Sequence, residues 1–119
     1  MQFVEAVEAA NEATMRSMLA ADPALRDQHP DLVTRMAEAR NWSAVQLLID
    51  LGFGVNGVTA AGATALHHAA AAGELSIARL LVEHGADHTA REPEFNAQPA
   101  GWAQYFKKAE TRKYLESLA

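Results

Sequence analysis

The sequence predicts an all-α solenoid of about four stacked helix-turn-helix units, and three observations carry that reading. Leu47, Leu48 and Gly52 recur 33 residues later as Leu80, Leu81 and Gly85, and Val33 recurs as Leu66 at the same interval. Residues 64–85 read as two short antiparallel helices joined by a tight turn, each ended by a glycine. Finally, 50% of the 119 residues are apolar and many of these are alanine. Alanine at that density suits close helix stacking. No run approaches the roughly 18 apolar residues that a membrane span requires.

The units follow in order. The first, about residues 1–25, draws an inner helix from Phe3, Val4 and Val7 and an outer helix from Met15, Met18 and Leu19, an echo of Ala44, Leu47, Leu48 and Leu51. The second, about 26–58, begins its inner helix near Asp31-Leu32-Val33-Thr34 and closes on the glycine-rich run from Gly52 to Gly57. The third, about 59–91, is the clearest. Thr64 suits an N-cap, because its hydroxyl accepts a bond from an orphan amide of the first turn. The alanines that follow propagate a thin helix, and Gly73 ends it with positive φ. Ile77, Leu80, Leu81 and His84 then form one i, i+3, i+4, i+7 stripe before Gly85.

The fourth unit, about 92–119, repeats the third at an offset of 34: Leu81 meets Leu115, Leu80 meets Tyr114, Ala69 meets Ala103 and Ala65 meets Pro99. The extra residue fits into the loop from Pro93 to Asn96. Pro23, Pro30 and Pro93 punctuate the chain without a linker, so residues 1–119 read as one domain. Repeats of this kind bury their apolar faces only against neighbours, and the terminal ones need a polar outer face. Lys107, Lys108, Glu110, Arg112, Lys113 and Glu116 supply it around Tyr114, Leu115 and Leu118, and Glu5, Glu8, Glu12 and Arg16 dress the first unit.

Charge limits the partners. A formal net charge of −5 with ten scattered basic residues argues against nucleic acid, which calls for cations clustered on one face. The N-terminus lacks the basic start and long apolar stretch of a signal peptide, so the expectation is a cytoplasmic protein, monomeric alone, without a membrane partner. The absence of cysteine is compatible with that compartment.

Any enzymatic reading begins with the five histidines. His67 and His68 beside Glu74, or His84 with Asp87 and His88, invite a metal site. Adjacent helical residues point about 100° apart, which separates His67 from His68, and His84 and His88, though four apart, fall on an outer helix and the turn after it rather than on one zinc-binding helix. No serine or cysteine elbow and no glycine-rich phosphate loop is present either. No catalytic residue, metal or cofactor is therefore expected.

Thr64-Ala65-Leu66-His67-His68-Ala69 resembles the Thr-Pro-Leu-His-x-Ala opening of an ankyrin repeat, with Ala65 in place of proline, and the 33-residue period is the ankyrin one. Glu94-Phe95-Asn96-Ala97-Gln98-Pro99-Ala100-Gly101-Trp102-Ala103 is similar to a Phe-Asn-x-x-Pro-x-Gly-Trp-Ala motif in the last repeat of many bacterial ankyrin proteins. That likeness implies a bacterial source. The resemblance makes His67 a structural residue that bonds within and between turns. It leaves His68 either an ordinary half-buried polar residue or a partner contact. Gly101 stands where the structural histidine would be, and Trp102 takes the place of His68. Tyr105 and Phe106 align with Ala71 and Ala72, so the three aromatics are either a plug closing the last core layer or an exposed anchor.

Carried over from the family, the loop tips that touch a polypeptide partner would be Asn56, Gly57, Val58, Ala60, Ala61 and Ala63, then Arg91, Glu92, Glu94 and Phe95. The inner-helix face would add Glu38, His68, Ala71, Ala72, Trp102 and Tyr105. Asp31-Leu32-Val33-Thr34 departs from the signature and Thr59 stands where aspartate is common, so the early loops are expected to be less regular. The function this implies is a non-enzymatic protein–protein interaction module for an extended or helical polypeptide. A second reading is an adaptor, regulatory or immunity domain associated with a larger enzyme or toxin. A third is a small metal-dependent hydrolase built on His67, His68 and Glu74.

Overall fold

Apolar residues spaced three and four apart do form helices here, and short ones. The computed structural model describes residues 2–118, and within them nine helices and no strand: α1 (Phe3–Glu8), α2 (Glu12–Ala21), α3 (Leu25–Gln28), α4 (Leu32–Glu38), α5 (Trp42–Asp50), α6 (Ala65–Ala72), α7 (Leu75–Glu83), α8 (Pro99–Tyr105) and α9 (Ala109–Glu116). Four antiparallel pairs result, α1–α2, α4–α5, α6–α7 and α8–α9. The additional turn α3 falls where the sequence alone suggests a boundary between units. Helices this short are marginal in water, so their stability comes from packing.

The turn inside each pair is made the same way. Ala10 (φ 51°), Arg40 (59°), Gly73 (71°) and Lys107 (61°) each follow an inner helix in left-handed backbone, at intervals of 30, 33 and 34 residues. Only the third unit fills that position with the residue that adopts it freely. Asn11 and Asn41 next cap the outer helices, accepting from Thr14 N at 3.2 Å and Ala44 N at 3.3 Å.

Inner helices α4, α6 and α8 pack side by side, as do outer helices α5, α7 and α9, and the stack measures 41 × 24 × 21 Å. Its core runs through Leu32, Val33, Leu48, Ile49, Leu66 and Leu81. Ala69 and Ala70 are fully buried in the middle of α6, where a larger side chain would hold its neighbours apart. The predicted stripe of α7 needs correction. Ile77, Ala78 and Leu81 are buried, Leu80 is only half-buried, and His84 is exposed with Nδ1 2.9 Å from Leu80 O. His84 is the C-cap residue, beyond the last turn that packs.

The early loops are tighter than the departure from the signature implies. Thr34 is fully buried, and its hydroxyl donates to Gly57 O at 2.6 Å. It binds one unit to the next loop in the manner of the histidine expected there. At Gly57 a β-carbon would collide with the Pro30 carbonyl, so glycine is required by close approach. Among the described residues no helix is long and apolar enough to cross a membrane.

Candidate recognition surface

His67 organises the boundary between the last two helical pairs. Thr64 opens α6 as an N-cap, accepting from His67 N at 3.3 Å, while its own backbone N–H donates to His67 Nδ1 at 3.2 Å. That is a capping box closed by a histidine. With Nδ1 accepting, Nε2 carries the proton and donates to Ala97 O at 2.8 Å, across to the loop before α8. The ring is fully buried. Burial is the largest influence on its pKa and lowers it from the ordinary 6.5, against smaller raising effects from the Ala97 carbonyl and Glu92.

That loop is folded around one carboxylate. Glu92 is 1% exposed. It accepts from the backbone N–H groups of Glu94 (2.7 Å), Phe95 (3.0 Å) and Ala97 (3.2 Å), and from the indole N–H of Trp102 at 3.4 Å. Burial works to raise its pKa, but the donors of Phe95, Ala97, Trp102 and Glu94 outweigh it and hold the carboxyl below the usual range. The resemblance makes Glu92 a tip contact, but the carboxylate is buried and turned to its own loop. Its side chain is the internal scaffold of the tip.

Glu38, His68 and Trp102 follow one another across α4, α6 and α8. His68 Nε2 lies 3.9 Å from Glu38 Oε2, which also accepts from the Thr59 hydroxyl at 3.0 Å. Burial lowers the pKa of His68, with Glu38 opposing that shift and His67 and Arg40 adding to it. Trp102 forms T-shaped pairs with both histidines, its centroid 5.1 Å from His67 and 5.6 Å from His68. Tyr105 and Phe106 pack edge to face at 5.0 Å. They do not plug the core: Tyr105 is 79% exposed, Phe106 47% and, on the neighbouring loop, Phe95 70%. The last layer is closed instead by the smaller Pro99 and Ala103 with Leu115. Trp102 alone is half-buried.

Phe95, Ala97, Gly101, Trp102, Tyr105 and Phe106 line a pocket of about 450 Å³. A wider recess of about 600 Å³ beyond α8 mixes polar residues such as His88, Arg91 and Gln104 with Ala100 and Leu115. Of the residues carried over as contacts, Glu38, Asn56, Val58, Ala60, Ala61, Arg91, Glu94, Phe95 and Tyr105 are exposed, and His68, Ala72 and Trp102 half-buried. Ala63, Ala71 and Glu92 are buried and present almost no surface. Asn56 reaches solvent, but its amide is engaged by Gly85 O and Asp87 N, each at 2.9 Å. Phe106, absent from the carried-over set, belongs to the pocket; its alignment with Ala72 is the signal that marks it. Among the described residues no three histidine, aspartate or glutamate side chains converge as a metal-ligand set.

A family model described as ankyrin repeats (3 copies) matches residues 3–92. No curated protein matches the chain. The match ends at Glu92, where the loop leading to α8 begins. With stacked helical pairs on a 33-residue period and a family match over most of its length, the chain belongs to the ankyrin-repeat family.

Proposed function

We propose that this chain is a non-enzymatic recognition module that binds a polypeptide through its loop tips and inner-helix face. Ankyrin repeats are generally protein–protein interaction modules. One observation supports the reading most: Phe95, Tyr105 and Phe106 stand exposed together on a scaffold whose other large apolar side chains, among the described residues and apart from Val58, are buried or half-buried. Clustered exposed aromatics oppose solubility and mark interaction sites, where such rings dominate binding energy. Glu38, Val58, Ala60, Ala61, His68, Ala72, Arg91, Glu94 and Trp102 extend the surface along the stack.

Affinity capture tests this with the parent chain and a Phe95→Ala/Tyr105→Ala variant of equal helicity. A polypeptide held by the parent and lost by the variant supports the reading. Equal recovery moves the interface elsewhere, and no recovery by either removes the reading. A regulatory or immunity role would use the same surface; it requires the captured partner to be an enzyme or toxin whose activity changes on binding.

A further inference from the structure

We infer that the aromatic pocket at the C-terminal end of the stack receives an arginine side chain of the polypeptide partner. The inference rests on the recognition reading above and names the chemistry of one contact within it. Four of the eight aromatic residues of the chain line this pocket. One unit earlier, the aligned positions hold Ala61, His68, Ala71 and Ala72. The cluster is local to the last unit, not a feature of every repeat.

Two properties select a cation that sheds water readily. The walls are aromatic rings, whose faces carry negative electrostatic potential. Trp102 directs its only donor, the indole N–H, at the Glu92 carboxylate. The ring is therefore polarised towards greater electron density, and its N–H is withheld from any ligand. Carboxylates and cations both stand near the pocket. Glu92 lies behind Trp102, Glu94 precedes Phe95, and Glu38 stands 3.9 Å from the His68 ring that meets Trp102. Among the cations, Arg91 donates to Asn96 O at 2.8 Å, Arg40 opposes Glu38 at His68, and Lys107 and Lys108 follow Phe106, Lys107 on the left-handed turn. The chain as a whole carries −5.

A guanidinium is flat, permanently charged and more weakly hydrated than an ammonium, so it stacks on such rings at lower desolvation cost than lysine. A pocket of about 450 Å³ also admits the aliphatic stem of arginine. An aliphatic residue would use the apolar walls but not the negative potential of the ring faces.

Titration of the full chain with N-acetyl-arginine amide, its neutral isostere N-acetyl-citrulline amide, and N-acetyl-norleucine amide tests the assignment. The readout is the NMR signals of the two indole N–H groups, with Trp102→Phe as the assignment control. Arginine amide is expected to move the Trp102 signal and not that of Trp42. It should bind about three- to fivefold more tightly than citrulline amide, the size of an exposed cation–π contact. Tyr105→Ala should weaken binding without disturbing the fold, because that ring is 79% exposed. Equal affinity for arginine and citrulline amides, or a preference for norleucine amide, would overturn the inference and make the pocket an apolar anchor site. No movement of Trp102 with any probe would overturn it too, while leaving the recognition reading to partner capture. Tight arginine selectivity in a chain that captures no polypeptide would instead overturn only the recognition reading.

Discussion

His67 and Ala97 meet across 30 positions of sequence, the imidazole Nε2 donating to the carbonyl oxygen at 2.8 Å. The same carbonyl accepts from Glu92 N at 3.1 Å, and Ala97 N donates back to the Glu92 carboxylate at 3.2 Å. α6, the loop and α8 are thereby fastened through one residue, Ala97. The recognition surface inherits its geometry from that junction, because Phe95 and Trp102 are both held by Glu92.

Replacing His67 by alanine removes a fully buried ring, leaves the Thr64 N–H without its acceptor, and leaves the Ala97 carbonyl with the Glu92 N–H alone. His67→Ala should cost about 2–4 kcal/mol in urea unfolding, combining a cavity with lost buried hydrogen bonds. Thr34→Ala, which breaks the shorter tie to Gly57 O and removes less volume, should cost about 1–2 kcal/mol. A larger effect at Thr34 than at His67 would contradict the junction as described.

Both His67 and His68 have pKa values below the ordinary 6.5 in the fold, each chiefly through burial. The unfolded chain then binds more protons than the native one just below that value, so stability is fully present above pH 6.5 and declines as pH falls beneath it. Glu92 and Asp87 act in the same direction at lower pH, since their lowered pKa values favour the fold only while the carboxyls are ionised. Urea midpoints recorded between pH 7.5 and 5 should decrease monotonically, and the slope below pH 6.5 should be shallower in His67→Ala. A midpoint that rises on acidification would have the wrong sign.

Glu92→Gln keeps the shape of the side chain but supplies one acceptor oxygen where the carboxylate uses two. It should lower the melting temperature and shift Trp102 fluorescence to the red, and Glu92→Ala should do both more strongly. Hydrogen exchange at Phe95 and Ala97 amides, whose protons point at the carboxylate, should accelerate in the same order. Unchanged exchange at those two amides in Glu92→Ala would show that the loop holds its form without the carboxylate.

The fold was legible because each unit writes its pattern locally: Thr64 as a cap, Gly73 and Gly85 as stops, and leucine pairs at fixed spacing. The inter-unit role of His67 came through the family likeness, and the bond to Ala97 agrees with it. Glu92 was misread because loop position implies exposure, whereas its neighbours fold backbone donors around it. No periodicity encodes that. The aromatic cluster posed the opposite problem. Trp102, Tyr105 and Phe106 are adjacent in sequence, but α8 turns only Trp102 towards the histidines and leaves the other two in solvent. A plug would have to fill the last core layer, yet Pro99, Ala103 and Leu115 already occupy it.

The shared left-handed turn gives a paired test with opposite signs. Gly73→Ala forces a β-carbon into φ 71° and should destabilise by about 1 kcal/mol. Lys107→Gly relieves the same strain at φ 61° on an exposed residue and should stabilise by about 0.5 kcal/mol, the gain being reduced by the greater freedom of glycine in the unfolded chain. Chemical denaturation of the two variants beside the parent separates these effects. Movement of both in one direction would mean that side-chain packing, not backbone conformation, governs these positions.

Trp102 and Tyr105 should separate stability from recognition. Trp102 touches both histidines and Glu92, so Trp102→Ala removes a half-buried ring and should cost about 2–3 kcal/mol, less than the 3–5 typical of a fully buried indole. Tyr105 makes its one aromatic contact with Phe106 at 5.0 Å and stands in solvent, so Tyr105→Ala should stay within about 0.5 kcal/mol of the parent. Partner affinity should behave differently. Loss of Tyr105 should weaken it by about 1–2 kcal/mol, as expected for an aromatic anchor, with the melting curve unchanged. If Tyr105→Ala melts well below the parent, the ring supports the fold and the exposed-anchor reading fails. If it melts like the parent and binds the partner equally well, the interface lies elsewhere on the stack, and the Val58 to Ala61 loop is the next surface to truncate.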